Sequence, residues 1–340
     1  MNEEIDVIII WVDGNDPKWY REFLKYSPQK IDTSNSKSRF RDFGTLKYVF
    51  RGIDKCIPWV RKIHFVTSGH KPEWLNVNHP QINFVTHKEM FYEKKHLPVF
   101  NSSAIELNFL GIKDLADKFI YFNDDMLILK KTSQERFFKN NLPVDFLLQG
   151  VPRRGKLYKK FISNSLWVDA INNNIDLINK FFNKKEQVEQ NKEKYVFKEY
   201  GFKNILKNKI SNIVSKYYHF EHYHHPQPYL KRTLEEVFKE YKGEILLTSS
   251  QKFRSKTDLT QYIYRYWHLV KGEFNPHYEK DFKTYNVSSK EVADQCIEGL
   301  KKYRFVCIND DPNLKEYDLI KKNITEELDK IFPKNSQYEL

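Results

Sequence analysis

Residues 5–12 read IDVIIIWV, an apolar, β-branched run that stops at Asp13-Gly14-Asn15-Asp16-Pro17. That pattern predicts a buried strand followed by a turn. Residues 27–38 are polar and without period, and predict a loop. Over 45–57, Leu46, Val49, Phe50 and Ile53 recur at helical spacing until Pro58 ends the run. Strands are predicted at 62–67, closed by Ser68-Gly69, at 82–86 and at 119–122. A short helix with a serine cap is predicted at 103–110. Strand, helix, strand, strand, helix, strand is the pattern of an α/β sheet, and such sheets bind ligands at the carboxyl ends of their strands.

The middle of the chain, 131–219, is rich in Asn and Lys and reads as helix over 165–182 and 195–218. Further helices are predicted at 233–241 and 258–270. Ser288-Ser289-Lys290-Glu291 has the form of a capping box opening a helix that runs to Tyr303. A strand over 305–308 ends in Asn309-Asp310-Asp311, and 314–332 is an amphipathic helix. The expected architecture is a nucleotide-binding, Rossmann-like α/β core in two parts, 1–130 and 220–340, with 131–219 as an inserted helical region.

Composition narrows the function classes. At 340 residues, 40% hydrophobic and 16% aromatic, the chain can bury a sizeable core and is not disordered throughout. Its net charge of +12 favours anionic partners: nucleotides, phosphates, acidic polymers, nucleic acid or anionic lipid. Cys56, Cys296 and Cys307 are odd in number and lack zinc spacing, which suits free thiols in a reducing compartment. The acidic start has no basic region or cleavage site, and no stretch approaches the ~20 apolar residues that cross a bilayer. The expectation is a cytoplasmic protein that contacts the inner face of a membrane peripherally through its basic charge.

Six clusters could carry chemistry, and each has a plainer alternative. Asp16 could hold a metal or orient a phosphate acceptor, or simply make a turn with Gly14 and Pro17. Asn123-Asp124-Asp125 follows a buried strand, and paired carboxylates there suit Mg²⁺, which takes oxygen ligands. The same residues could form a turn or a helix cap. Arg39-Phe40-Arg41-Asp42 could clamp phosphate or be an exposed basic loop. Asn101-Ser102-Ser103 with Glu106 could hold phosphate or ribose in addition to capping a helix. His219, His222, His224 and His225 suggest metal or acid–base chemistry. No helical pair of histidines with a flanking acid favours zinc, so one catalytic histidine among structural ones is the better reading. Finally, Arg254 could clamp a phosphoryl group or pair with Asp258 at a helix start.

Together the clusters stop looking independent. The stretch from Ile5-Asp6-Val7 to Trp11-Val12-Asp13-Gly14-Asn15-Asp16 resembles the first conserved region of the Stealth family of sugar-phosphate transferases. Arg39-Phe40-Arg41-Asp42, Pro58-Trp59-Val60-Arg61, Val66-Thr67-Ser68-Gly69, Pro72-Glu73-Trp74-Leu75, and the residues of 97–106 and 119–126 are similar to its second. His224-His225-Pro226-Gln227-Pro228-Tyr229, Leu234-Glu235-Glu236, Phe253-Arg254 and Asp258 resemble the third, and Phe305-Val306-Cys307-Ile308-Asn309-Asp310-Asp311 the fourth. The match covers about 5–130 and 219–311.

The resemblance implies a specific reaction. A hexose-1-phosphate or N-acetylhexosamine-1-phosphate passes from a nucleotide-diphosphate sugar, expected to be UDP-linked, to a hydroxyl of an oligo- or polysaccharide acceptor. A phosphodiester forms and nucleoside monophosphate leaves, in bacterial capsule or surface polysaccharide synthesis. By matching position, Asp16, Asp124, His224 and Arg254 carry over as active-site residues. Arg39, Arg41, Asn101, Ser102 and Glu106 are expected on the donor. Asp124, Asp125, Asn309 and Asp310 are expected on a divalent metal, Mg²⁺ or Mn²⁺. His225 stands where the family often has an apolar residue, which leaves open which histidine acts. A metal-dependent glycosyltransferase, releasing nucleoside diphosphate, is the nearest rival. Nucleic acid is not expected as a partner, because no nucleic-acid motif is present and carboxylates line the binding edge.

Overall fold

A computed structural model describes residues 4–27, 43–155, 158, 165–311 and 314–340. Strands β1 (Ile5–Ile10), β2 (Ile63–Thr67), β3 (Ile82–Thr86) and β4 (Lys118–Asn123) lie parallel in the order β3-β2-β1-β4. A short strand, β8 (Gln227–Leu230), pairs antiparallel with β4 at the edge. The apolar run of β1 is explained by burial on both faces. Ile5, Val7 and Ile9 join one core and Ile8 and Ile10 the other. Asp6 interrupts it at 0% exposure. Arg61 donates to it at 2.7 and 2.8 Å, His64 lies 2.8 Å away and the Ala116 N–H donates at 2.8 Å. Burial raises its pKa, but the hydrogen bonds from His64 and Arg61 outweigh that and hold the carboxyl below its ordinary value.

A second sheet is built from β5 (Met126–Ile128), β10 (Phe282–Val287) and β11 (Phe305–Asp310), in the order β10-β11-β5. The helix Thr45–Cys56 packs against β5, and Gly52 permits the approach, since a Cβ there would meet the Ile128 carbonyl oxygen at 2.5 Å. The chain therefore leaves the first sheet at Asn123 and enters the second at Met126, with Asp124 and Asp125 as the bridge.

Region 131–219 opens with two short strands that the helical expectation did not contain: β6 (Phe138–Lys139) and β7 (Leu142–Asp145). β7 pairs with β9 (Asn275–Pro276). Its helices include Ser165–Phe181 and Gly201–Ser211. The first packs on the helix Tyr262–Lys271, where the Asn174 amide donates to Thr260 Oγ1 at 2.8 Å. Among the described residues no helix is long and apolar enough to cross a membrane.

Candidate active site

Beyond β1 the chain turns at Asp13, whose N–H donates to His70 Nε2 at 2.9 Å and whose carboxylate accepts the Asn15 N–H at 2.8 Å. Asp16 then caps the helix Pro17–Tyr26, its Oδ1 accepting the Trp19 N–H at 2.6 Å. Pro17 suits the first helical position, where its missing N–H costs nothing. The plainer reading of Asp16 is therefore met, as a helix cap at the turn after β1.

An aromatic cluster fixes three site segments together. Trp19 and Phe23 pack on Phe100, and Phe253 stacks on Phe100 at 5.2 Å between ring centroids. Phe100 directly precedes Asn101, and Phe253 directly precedes Arg254. The cap, the Asn-Ser segment and the arginine are therefore held as one unit, although Asp16 and Arg254 lie far apart in the chain.

Asn101, at 0% exposure, caps the helix Ser102–Glu106, accepting the Ser103 N–H at 3.1 Å. Its amide donates to Asp258 at 2.8 Å. The cap expected of a serine falls to Asn101, and Ser102 is left half-buried to receive Arg254 Nη2 at 3.2 Å. Asp258 does not open a helix as expected. It accepts the Ser255 N–H and hydroxyl at 2.9 Å each, and the following helix begins at Tyr262. Glu106 faces inward, accepting Tyr121 OH at 3.0 Å and the Gln261 N–H at 3.3 Å. Burial pushes its carboxyl up despite those bonds and the Arg254 charge. The one Tyr121 hydroxyl proton is shared between Glu106 and the side-chain oxygen of Asn123 at the end of β4.

The second half of the edge lies past Asn123. Met126 pairs with Cys307, and the Ile308 N–H donates to the Asp125 carbonyl at 3.1 Å, so Asn309 and Asp310 run out beside the Asp124-Asp125 bridge. Ligand atoms of Asp125, His224 and Cys307 lie within 4.8 Å of one another. Cys307 Sγ is 3.4 Å from His224 Nδ1 and donates to Asn309 Oδ1 at 3.4 Å. Burial, with the Asp125 charge adding to it, pushes the Cys307 thiol well up. The carboxylate and amide oxygens of Asp124, Asp125, Asn309 and Asp310 are hard donors of the kind Mg²⁺ takes, whereas the ligand atoms brought within 4.8 Å of one another among the described residues are those of Asp125, His224 and Cys307.

The remaining histidines face elsewhere. His225, 7% exposed, has Nδ1 2.8 Å from the Pro226 carbonyl and its ring 5.0 Å from Phe282. Burial pushes its pKa down to about 4, against an opposing contribution from Asp145. His222 is packed among Trp167, Tyr262 and Tyr266, and burial holds it well below its ordinary value. His219 lies against Gly150, where a Cβ would meet its ring at 2.4 Å.

Of the residues expected in the site, Asn101, Ser102, Glu106 and Arg254 form one network. Asp124, Asp125, His224, Asn309 and Asp310 form the adjoining edge. Asp16 joins the first through the aromatic cluster. Arg39 and Arg41 lie outside the described residues. His70, Tyr121, Gln261 and Cys307 also belong to this neighbourhood and were not singled out. Cys307 carried a signal, standing two residues before the strand-end Asn309-Asp310-Asp311. Tyr121 and Gln261 carried none, because their partners are distant in sequence.

Comparison with known proteins places the sequence in a family. Residues 39–145 match the family description "Stealth protein CR2, conserved region 2". The chain is 36% identical over 343 residues to the capsular polysaccharide phosphotransferase WcwK of Streptococcus pneumoniae, covering 99% of this chain and 98% of that one. It is 31% identical to the exopolysaccharide phosphotransferase cps2G of Lactiplantibacillus plantarum, over 99% and 96% of the two chains. It is 28% identical to the receptor polysaccharide phosphotransferase WefC of Streptococcus oralis, over 99% of each. Similarity that runs end to end, with the region-2 match spanning β2 to β7 and the loops that build this edge, makes the chain a member of the Stealth family.

Proposed function

We propose that the chain transfers a hexose-1-phosphate or N-acetylhexosamine-1-phosphate from a nucleotide-diphosphate sugar to a glycan hydroxyl in the making of a capsular or other surface polysaccharide. A UDP-linked donor in the cytoplasm is part of this reading. The acceptor oxygen attacks the phosphorus that carries the sugar. The bond from that phosphorus to the oxygen bridging the two phosphates breaks, and nucleoside monophosphate leaves. His224 takes the acceptor proton; an imidazole's ordinary pKa of ~6.5 suits a base near neutral pH. Arg254, fixed on Ser102 and beside buried Glu106, stabilises charge on the transferring phosphoryl group. Asn101 and Glu106 act through those two rather than on the donor. Asp124, Asp125, Asn309 and Asp310 would hold a divalent cation, which when bound offsets the diphosphate charge.

One observation carries the reading. A guanidinium, an imidazole and an oxygen-rich edge adjoin across Asn123-Asp124-Asp125, in a chain that aligns end to end with polysaccharide phosphotransferases. The test is a panel of sugar nucleotides with acceptor glycan and mass detection of the leaving nucleotide. Monophosphate release with a mass gain of one phosphosugar on the acceptor is expected. Diphosphate release would replace the reading with glycosyl transfer.

A further inference from the structure

The helix Gly201–Ser211 is turned inside out. Its most buried side chain is an amide: Asn208, at 0% exposure, donates to the Leu147 and Tyr195 carbonyls at 2.8 Å each and accepts the Gln149 N–H at 2.8 Å. Its large apolar residues face solvent. Phe202 is 80% exposed, Leu206 45% and Ile210 59%, followed by Ile213 at 82% and Val214 at 42%. Residues at i, i+4 and i+8 share one face of a helix, so Phe202, Leu206 and Ile210 make a single stripe, and Ile213 and Val214 carry it on. Of this helix's apolar side chains, Ile205 turns inward, onto the cluster of Phe146, Leu148 and Tyr200.

The stripe is held in a fixed shape. The Lys184 ammonium, 2% exposed, donates to the Ser211 carbonyl at 2.6 Å and the Lys216 carbonyl at 3.1 Å. That ties the turn after the helix to its last residue. An ordinary surface helix shows the opposite pattern, with apolar residues inward and polar ones out. An exposed run of this kind marks a surface that meets something less polar than water.

The charges around it say what that is. Residues 201–218 contain four lysines and no Asp or Glu. Lys207 pairs with Glu221 at 2.8 Å, while Lys203, Lys209 and Lys216 are exposed beside the stripe. Aromatic and aliphatic side chains interspersed along 201–218 with lysines, on a chain of net charge +12, complement an anionic interface with an apolar interior. We propose that this face docks on an anionic phospholipid bilayer, with Phe202, Leu206, Ile210 and Ile213 entering the acyl boundary and Lys203, Lys209 and Lys216 at the headgroups.

The full chain is tested by flotation with vesicles, in the absence of donor and acceptor, so the outcome is independent of the transfer reaction. Vesicles of phosphatidylcholine alone are compared with vesicles in which about a third is phosphatidylglycerol. Binding is expected to the anionic vesicles and to weaken as salt rises. The variant Phe202→Ser, Ile210→Ser, Ile213→Ser should lose at least ~10-fold in partitioning, since each buried apolar group contributes. Lys203→Glu, Lys209→Glu, Lys216→Glu should lose at least roughly fivefold per lysine. All six residues are exposed, so both variants should melt with the wild type. Absent binding to anionic vesicles, or equal binding by wild type and the serine variant, overturns the proposal. So does light scattering that shows a dimer abolished by the serine substitutions, which would make the occupant a second copy.

Discussion

His224 and His225 are neighbours in sequence and opposites in setting. The first stands beside Asp125 and Cys307, and the second is wedged on Phe282 and kept neutral by burial. A run of four histidines cannot reveal this, because the difference comes from β11 and β10, more than fifty residues further on. His224→Gln should cut turnover by ~10²–10⁴ with the melting temperature unchanged. His225→Gln should lower the melting temperature instead, by leaving a poorly matched amide in a buried slot. Turnover in a purified donor-and-acceptor assay, set beside thermal melts, checks both, and the reverse pattern would move the base to His225. Arg254 is a similar case. On the page of the sequence it is one of 57 basic residues, and its meaning comes from Ser102 and Glu106. Arg254→Ala should cost ~10²–10³ in kcat, the usual loss for one electrostatic donor at a transferring group.

At the scale of elements, what the sequence shows clearly is whatever is buried on both faces. β1, β4 and β11 are apolar runs, and their ends carry Asp13 to Asp16, Asn123 to Asp125 and Asn309 to Asp311, so this candidate edge is legible in the sequence. β8 and β10 are not. Gln227-Pro228-Tyr229-Leu230 contains a proline tolerable only at a sheet edge, and Phe282-Lys283-Thr284-Tyr285-Asn286-Val287 mixes polar residues through a strand. Helix starts slipped by a residue or more where side chains compete for the cap. Ser289, not Ser288, caps the helix Lys290–Lys302, which puts Glu291 one place too early to close a capping box. Long-range ion pairs are invisible to any local pattern, and one of them joins β7 to the helix Tyr262–Lys271. Arg265, 1% exposed, donates to Asp145 at 2.8 Å, to the Phe146 carbonyl at 3.0 Å and to the Glu221 carbonyl at 2.9 Å, within the histidine run. Asp145→Asn should destabilise the fold by about 3–5 kcal/mol, because it leaves a buried guanidinium without its counter-charge. Asp145→Leu with Arg265→Met should recover a good part of that by removing both charges. Chemical denaturation of the two variants measures the difference; equal losses would mean the pair is not coupled.

For the whole molecule, two cores flank one sheet, and titratable groups are built into both sides of it. His87 and His225 are 8% and 7% exposed, and burial pushes them down to about 3 and about 4. In the unfolded chain each titrates near ~6.5. Between those values the unfolded state binds protons that the folded state refuses. Stability is therefore full above pH ~6.5 and falls as pH drops, by about 1.4 kcal/mol per pH unit for each histidine. The paired carboxylates act lower down. Asp6 and Asp281 are held below their ordinary values, and Glu339 is pulled down to about 2, with burial opposing and the hydrogen bonds from Arg51, the Ser336 N–H and Lys47 together outweighing it. Their contribution is present above ~4 and is lost as pH falls toward the folded-state values. Both sets weaken the fold in the same direction, so acid should act in two overlapping stages, the first beginning near pH 6.5 and not near 4. Melting temperature followed from pH 8 to 4 should be level at first and then slope downward from about 6.5. His225→Phe, which keeps an aromatic in the slot between Phe282 and Phe305, should make that first slope shallower while leaving the lower stage in place. A wild-type curve that stays level down to pH 5 would mean that the buried imidazoles are protonated as readily in the fold as outside it.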